Sequence, residues 1–130
     1  MEIPKGHQAV MPYLMREDAA KFIEFTKNVF DAELTFKGER DGEIGHCEIN
    51  INGSTIMFSN SRGDWKPATA NMFVYVDSAD ARYEKAVAAG SETVMPPADQ
   101  DYGRSCGVTD PFGNVWWITS VGAKVKEGNK

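Results

Sequence analysis

The stretch DGEIGHCEININGSTIMFS, residues 41–59, decides how this chain folds. It carries two turn dipeptides, Asp41-Gly42 and Asn52-Gly53, one at each end of the alternating run 43–51. A two-residue hairpin loop needs positive φ at both central residues, and Asp-Gly and Asn-Gly accept that conformation most readily. Three strands in a meander follow: 33–39, where Leu34 and Phe36 alternate with polar residues, then 43–51, then 54–59 with Ile56, Met57 and Phe58. Upstream, Asp18 offers an N-cap to a helix reaching about Phe30. Its Phe22, Phe25, Val29 and Phe30 recur at steps of three and four, with Ile23 at the border, so one stripe packs on something flat. Residues 7–15 read as a first strand, with Val10, Tyr13 and Leu14 as its apolar content. Pro12 removes a ladder donor there, which predicts an edge or a bulge.

Downstream the pattern begins again. Residues 60–69, with Gly63, Pro67 and several polar residues, form the linker, and Trp65 within it is expected to dock on a surface or a partner subunit. Residues 71–76 read as a strand, and Ser78 caps a helix with Ala79, Tyr83, Ala86 and Val87 on one face. Gly90 stands where a helix end wants positive φ. Residues 92–95 start a strand that Pro96-Pro97 should stop. Strands at 104–109 and 114–119 flank the turn Asp110-Pro111-Phe112-Gly113. The interval from Asp18 to Gly53 and that from Asp80 to Gly113 agree to within two residues, and residues 54–58 correspond to 114–118. This is an internal duplication. The expectation is an α+β protein of two βαβββ modules, about 7–60 and 70–120, joined by a linker at 61–69 and followed by a polar tail at 121–130. Each helix covers one face of its sheet. Two curved mixed sheets facing a shared cleft would cover the other faces, making one domain of residues 1–130.

Composition narrows the function. Of 130 residues, 42% are apolar and 25% charged, the balance of a globular protein that needs no disulfide staples. A net charge of −5 argues against a nucleic-acid partner, which draws on clustered Lys and Arg. No apolar run approaches the roughly 18 residues of a membrane span, and residues 1–6 lack the apolar core of a signal peptide. Cys47 and Cys106 have no CxxC spacing and read as reduced and packed, consistent with a cytoplasmic protein.

Among chemistry-bearing residues, His46 and Glu48 stand two apart on one strand and so share a face. They could be a base and its orienting carboxylate, two ligands of a different metal site, or a polar strand face touching water or the dimer mate. The second of the chain's two histidines, His7, reads as peripheral because it lies near the start. Arg104, after Tyr102 and Gly103, can take a ligand carboxylate or phosphate bidentately, or pair with Asp99, Asp101 or an acid of the linker. Asn52-Gly53-Ser54 matches a glycosylation sequon, but the hairpin reading accounts for it. There is no GxSxG elbow, HExxH helix or P-loop.

Met11-Pro12-Tyr13-Leu14, Asp18-Ala19-Ala20, Phe22-Ile23-Glu24-Phe25, the Asp41-Gly42 turn with His46 after it, and Asp110-Pro111-Phe112-Gly113-Asn114 with Trp116 together resemble the PhnB-like branch of the vicinal-oxygen-chelate superfamily. That superfamily includes glyoxalase I, extradiol dioxygenases, fosfomycin-resistance enzymes and bleomycin-resistance proteins. The resemblance runs from about His7 to Ser120 and implies paired βαβββ modules, usually in a homodimer. A methyltransferase label sometimes given to the branch fits poorly, since no glycine-rich loop follows a first strand. Metal-dependent relatives place His, Gln or Glu ligands on four strands. Carried over, those places are Met11, Met57, Asn71 and Trp117. Two thioethers, an amide and an indole cannot form a hard-metal shell, and indole has no lone pair to give. The resemblance thus implies no metal and no cofactor. Those four residues either fill a core or line a soft pocket with one polar handle. The leading functional expectation is a metal-independent small-molecule binding protein of the glyoxalase and bleomycin-resistance type. Met11, Met57, Asn71, Trp117, Arg104 and Tyr102 would bind the ligand. The alternatives are an enzyme using His46 and Glu48, with or without a relocated metal, and a dimeric scaffold with a filled core.

Overall fold

A computed structural model describes residues 1–61 and 66–122. Trp65 and nearly all of the expected polar tail lie outside the described residues. The chain divides into two compact units, Met1–Thr69 and Ala70–Lys130, each built as strand, helix and three strands.

In the first unit the elements are β1 (Tyr13–Arg16), α1 (Ala19–Phe30), β2 (Glu33–Arg40), β3 (Glu43–Ile51) and β4 (Ser54–Asn60). The sheet order is β1-β4-β3-β2, with β1 parallel to β4 and the meander antiparallel. Both turn dipeptides take the conformation expected of them: φ is 54° and 79° at Asp41 and Gly42, and 49° and 99° at Asn52 and Gly53. Side chains alternate across each strand, so Leu14, Cys47, Ile49, Ile51, Ile56 and Phe58 share one buried face. α1 lies on that face, and Phe22 meets Phe58 edge-on at 5.1 Å. Deep burial of Phe22, Val29, Ile49 and Phe58 makes this the core of the unit.

Two local expectations are corrected here. β1 begins at Tyr13, not His7. Pro12 cannot donate to the ladder, although its carbonyl accepts from the Met57 amide at 3.0 Å. Ahead of it, the Gln8 side chain takes the place of a strand. Its amide donates to the Thr55 carbonyl at 2.8 Å and accepts from the Thr55 N–H at 3.3 Å. Asp18 occupies the N-cap position but makes no side-chain cap bond. Instead the Ala19 N–H is received by Asn60 Oδ1 at 2.9 Å, from the far end of β4.

The second unit repeats the plan with β5 (Asn71–Tyr75), α2 (Ala79–Ala88), β6 (Glu92–Gln100), β7 (Gly103–Thr109) and β8 (Val115–Ser120), in sheet order β5-β8-β7-β6. Ser78 caps α2 through a bond from the Ala81 N–H, and Ser120 Oγ receives the Ala79 N–H as Asn60 does in the first unit. Ala79 and Ala86 are buried against the sheet, whereas Val87, expected inside, is exposed. Pro96-Pro97 does not stop β6. The ladder slips between Met95 and Ala98 and then resumes, which an edge strand permits because one side of its backbone needs no partner.

Asp110 organises the β7–β8 turn. Its carboxylate accepts from the Phe112 and Asn114 N–H groups, from Asn114 Nδ2 and from Trp116 Nε1 at 2.8 Å. Asp110 and Asn114, the buried ends of the Asp-Pro-Phe-Gly-Asn motif, therefore form a structural clasp with buried Trp116.

Candidate functional site

In each unit the helix covers one face of the sheet and leaves the other for function. In the first unit that second face is set by register. Tyr13 lies opposite Met57, which lies opposite Glu48, which lies opposite Phe36; one step on, Met15, Ser59 and His46 align. Across this face runs a connected polar array. Glu48 accepts from both histidines, His46 Nε2 on Oε2 and His7 Nε2 on Oε1, each at 2.8 Å. Tyr13 Oη lies 3.2 Å from His46 Nδ1 and 2.9 Å from Ser59 Oγ. Tyr13 and Phe36 flank the His46 ring, with centroids 5.5 and 5.9 Å away.

The array has a direction. An ionised carboxylate only accepts, so both imidazoles donate to it from Nε2. A neutral His46 ring then presents Nδ1 as an acceptor, and the Tyr13 hydroxyl donates to it. Ser59 is left to donate to the Tyr13 oxygen. Burial alone would raise the Glu48 carboxyl, but hydrogen bonds from His46 and His7, and their charges, outweigh it and hold the group below the ordinary carboxylate range.

The pairing of His46 with Glu48 was readable from their spacing. His7, expected at the periphery, instead bonds Glu48 across 41 residues. Tyr13, expected only as apolar content, has its signal in β1, since it alternates into line with Met57 once the strand is started after Pro12. Among the other candidates, Met57 sits half-buried between Tyr13 and Glu48, and Met11 lies half-buried just ahead of β1.

In the second unit the helix-free face carries Phe73, Tyr75 and Trp117, with Asn71 exposed at its start. Trp117 lies across Gly107. A Cβ at that position would stand 2.6 Å from Cζ3 and 2.8 Å from Cε3, so the indole depends on glycine beneath it. Phe73 and Tyr75 are more than half exposed and meet at 5.2 Å. Arg104 is placed elsewhere. It alternates with Cys106 and Val108 onto the helix-covered face, where its guanidinium reaches both oxygens of Asp80 on α2, at 3.2 and 3.4 Å, and Asp99 at 3.5 Å. Asp99 is one of the acids it was expected to meet if it had no ligand; Asp80, which binds it on two atoms, comes from the helix and not from the linker. Tyr102 is an exposed turn residue. Cys47 and Cys106 are buried and form no disulfide; burial raises both thiols, Cys106 to about 11, so neither is a ready nucleophile.

The side chains at the metal places that the resemblance implies do not suit a metal such as zinc or manganese. Met11, Met57, Asn71 and Trp117 offer thioether, amide and indole. In the His7–Glu48–His46 group each nitrogen faces its own carboxylate oxygen. Among the described residues no group of three or more His, Cys, Asp or Glu side chains is disposed to hold a metal ion.

A duplicated βαβββ chain with helix-free sheet faces bearing aromatic and polar side chains belongs to one class of α+β proteins. The glyoxalase/bleomycin resistance protein/dioxygenase family model matches residues 7–118, and the chain belongs to that superfamily. It is 34% identical over 134 residues to an uncharacterized protein of Mycobacterium bovis, covering 93% of this chain and 86% of the relative. A PhnB protein from Bacillus cereus shares the fold at 21% identity with a TM-score of 0.72, over 88% of this chain and 100% of that one. TnmS3, an antibiotic binding protein from Streptomyces sp. CB03234, does so at 16% identity with a TM-score of 0.69, over 89% and 100%. No described helix is long and apolar enough to cross a membrane.

Proposed function

We propose that this chain is a small-molecule binding protein of the PhnB-like branch, working as a homodimer and without a resident metal. Ligand is held on the helix-free sheet face of a unit: in the first by Met57 and the Glu48–His46–Tyr13 array, with Met11 at the margin, and in the second by Trp117, with Asn71 at the margin. The observation that carries this reading is the character of those faces. Flat aromatic and soft thioether side chains stand half-exposed around one fixed carboxylate, the composition of a site that holds by stacking and a few directed hydrogen bonds. The fold likeness to an antibiotic binding protein supports the same reading. Arg104 is left out of this reading, because it is held by Asp80 and Asp99 on the other side of its sheet.

Titration with acriflavine, a flat cationic acridine, while tryptophan emission is followed, tests this. Saturable quenching that is lost in Trp117→Ala is expected. Quenching that never saturates, or that persists unchanged in Trp117→Ala, would contradict it.

The order of the polar array favours a second reading. Carboxylate, imidazole and phenol in series form a general acid–base relay, so an enzyme could exchange a ligand proton at Tyr13 Oη. Turnover lost in both His46→Gln and Tyr13→Phe would establish it.

A further inference from the structure

The two histidines on Glu48 are held in different ways. His46 is part of β3, paired on the ladder with Ser59 and hydrogen-bonded through Nδ1 to Tyr13. His7 sits in an irregular segment ahead of β1, and among the described residues its ring has one hydrogen-bond partner, Glu48. That segment, residues 4–8, is fastened by a turn bond from the His7 N–H to the Pro4 carbonyl, a bond from the Thr55 hydroxyl to the Gly6 carbonyl, and the Gln8 amide on the Thr55 backbone. The apolar side chains around it give no anchor, since Ile3 is 42% exposed and Val10 85%. With His7 in place the Glu48 side chain is only 15% exposed. One oxygen is committed to a built-in strand residue, and the other to a residue that can leave.

We propose that His7 is a resident stand-in for a ligand's nitrogen base, so that an amidine- or imidazole-type cation binds by taking its place on Glu48 Oε1 and lifting the strap of residues 4–8. The inference rests on the ligand-binding reading above and names the chemical class that site selects. An amidinium, whose two N–H donors are parallel, pairs with a carboxylate bidentately, an imidazolium offers it one N–H as His7 does, and either presents its flat face to Tyr13 and Phe36. His46 stays on Oε2 and keeps the carboxylate oriented. A neutral ligand of the same shape lacks the charge needed to replace an imidazole donor. The strap therefore acts as an internal competitor, and the observed affinity is reduced by the fraction of time it occupies the site.

Benzamidine and its neutral analogue benzamide are the probes, used on the full chain with acriflavine as the control. With two histidines in the sequence, imidazole ¹⁵N–¹H spectra of the chain and of His7→Ala assign each ring. Benzamidine should move the His7 ring signals to those of a solvent-exposed imidazole and leave the His46 signals hydrogen-bonded. His7→Ala should bind benzamidine about fivefold tighter than the unaltered chain, and Gln8→Ala should tighten binding by a smaller factor. Glu48→Gln and the use of benzamide should each weaken binding by about tenfold or more. Thermal melts establish that each variant is folded. Weaker or unchanged benzamidine binding by both folded His7→Ala and Gln8→Ala, or His7 signals unmoved at saturation, overturns the proposal. If acriflavine still binds in that case, the binding reading stands and the stand-in role alone fails. If neither acriflavine nor benzamidine binds any form of the chain, both fail.

Discussion

Glu48 concentrates most of the chemistry of the first unit, and its pH behaviour follows from its partners. The hydrogen bonds from His46 and His7 hold its folded carboxyl below the ordinary value. A lowered folded value contributes stability above the unfolded carboxylate range, and that contribution is lost as the pH falls through the folded value. Glu48→Gln should therefore be less stable than the unaltered chain near neutral pH, by about 1–2 kcal/mol. The difference should shrink as the pH drops below the carboxylate range. Urea unfolding at a series of pH values measures it, and a pH-independent gap would contradict the assignment. Gly107 offers a steric counterpart. A methyl there collides with the Trp117 ring, so Gly107→Ala should cost about 1–3 kcal/mol and shift the tryptophan emission.

Among the elements, the meanders were the most legible part of the sequence. Asp41-Gly42 and Asn52-Gly53 fix local φ values that few other residues accept, so the turn chemistry and the strand alternation agree. What remained hidden depended on distant parts of the chain. Nothing near Asp18 shows that Asn60, at the end of β4, receives the first amide of α1, or that Ser120 does the same for α2. Nor does Pro96-Pro97 reveal that β6 is an edge strand, which is a fact of sheet order. Of the site, the shared face of His46 and Glu48 followed from period-two alternation. The contact of His7 with Glu48 did not, because it spans 41 residues through an irregular segment. The remote caps carry a prediction. Asn60→Ala should destabilise the chain by about 1 kcal/mol, as the loss of a helix cap does, whereas Asp18→Ala should cost less because its side chain makes no cap bond. Denaturant midpoints of the two variants decide the order.

At the scale of the whole molecule, duplication supplied the same βαβββ frame twice, and the two copies have diverged on their helix-free faces. The first bears the Glu48 array, with Tyr13 and Met57 beside it; the second bears Trp117, Phe73 and Tyr75. The superfamily is established by the match over residues 7–118. On the proposed reading, Met11, Met57, Asn71 and Trp117 stand at the metal places that the resemblance implies, and the frame holds a ligand by stacking and hydrogen bonding instead. Calorimetric titration of acriflavine into the chelator-treated chain tests metal-free binding most directly. Affinity equal to that of the untreated chain, and unchanged when zinc, manganese, nickel or iron is restored, is the predicted result; binding that appears only after a metal is returned would contradict it.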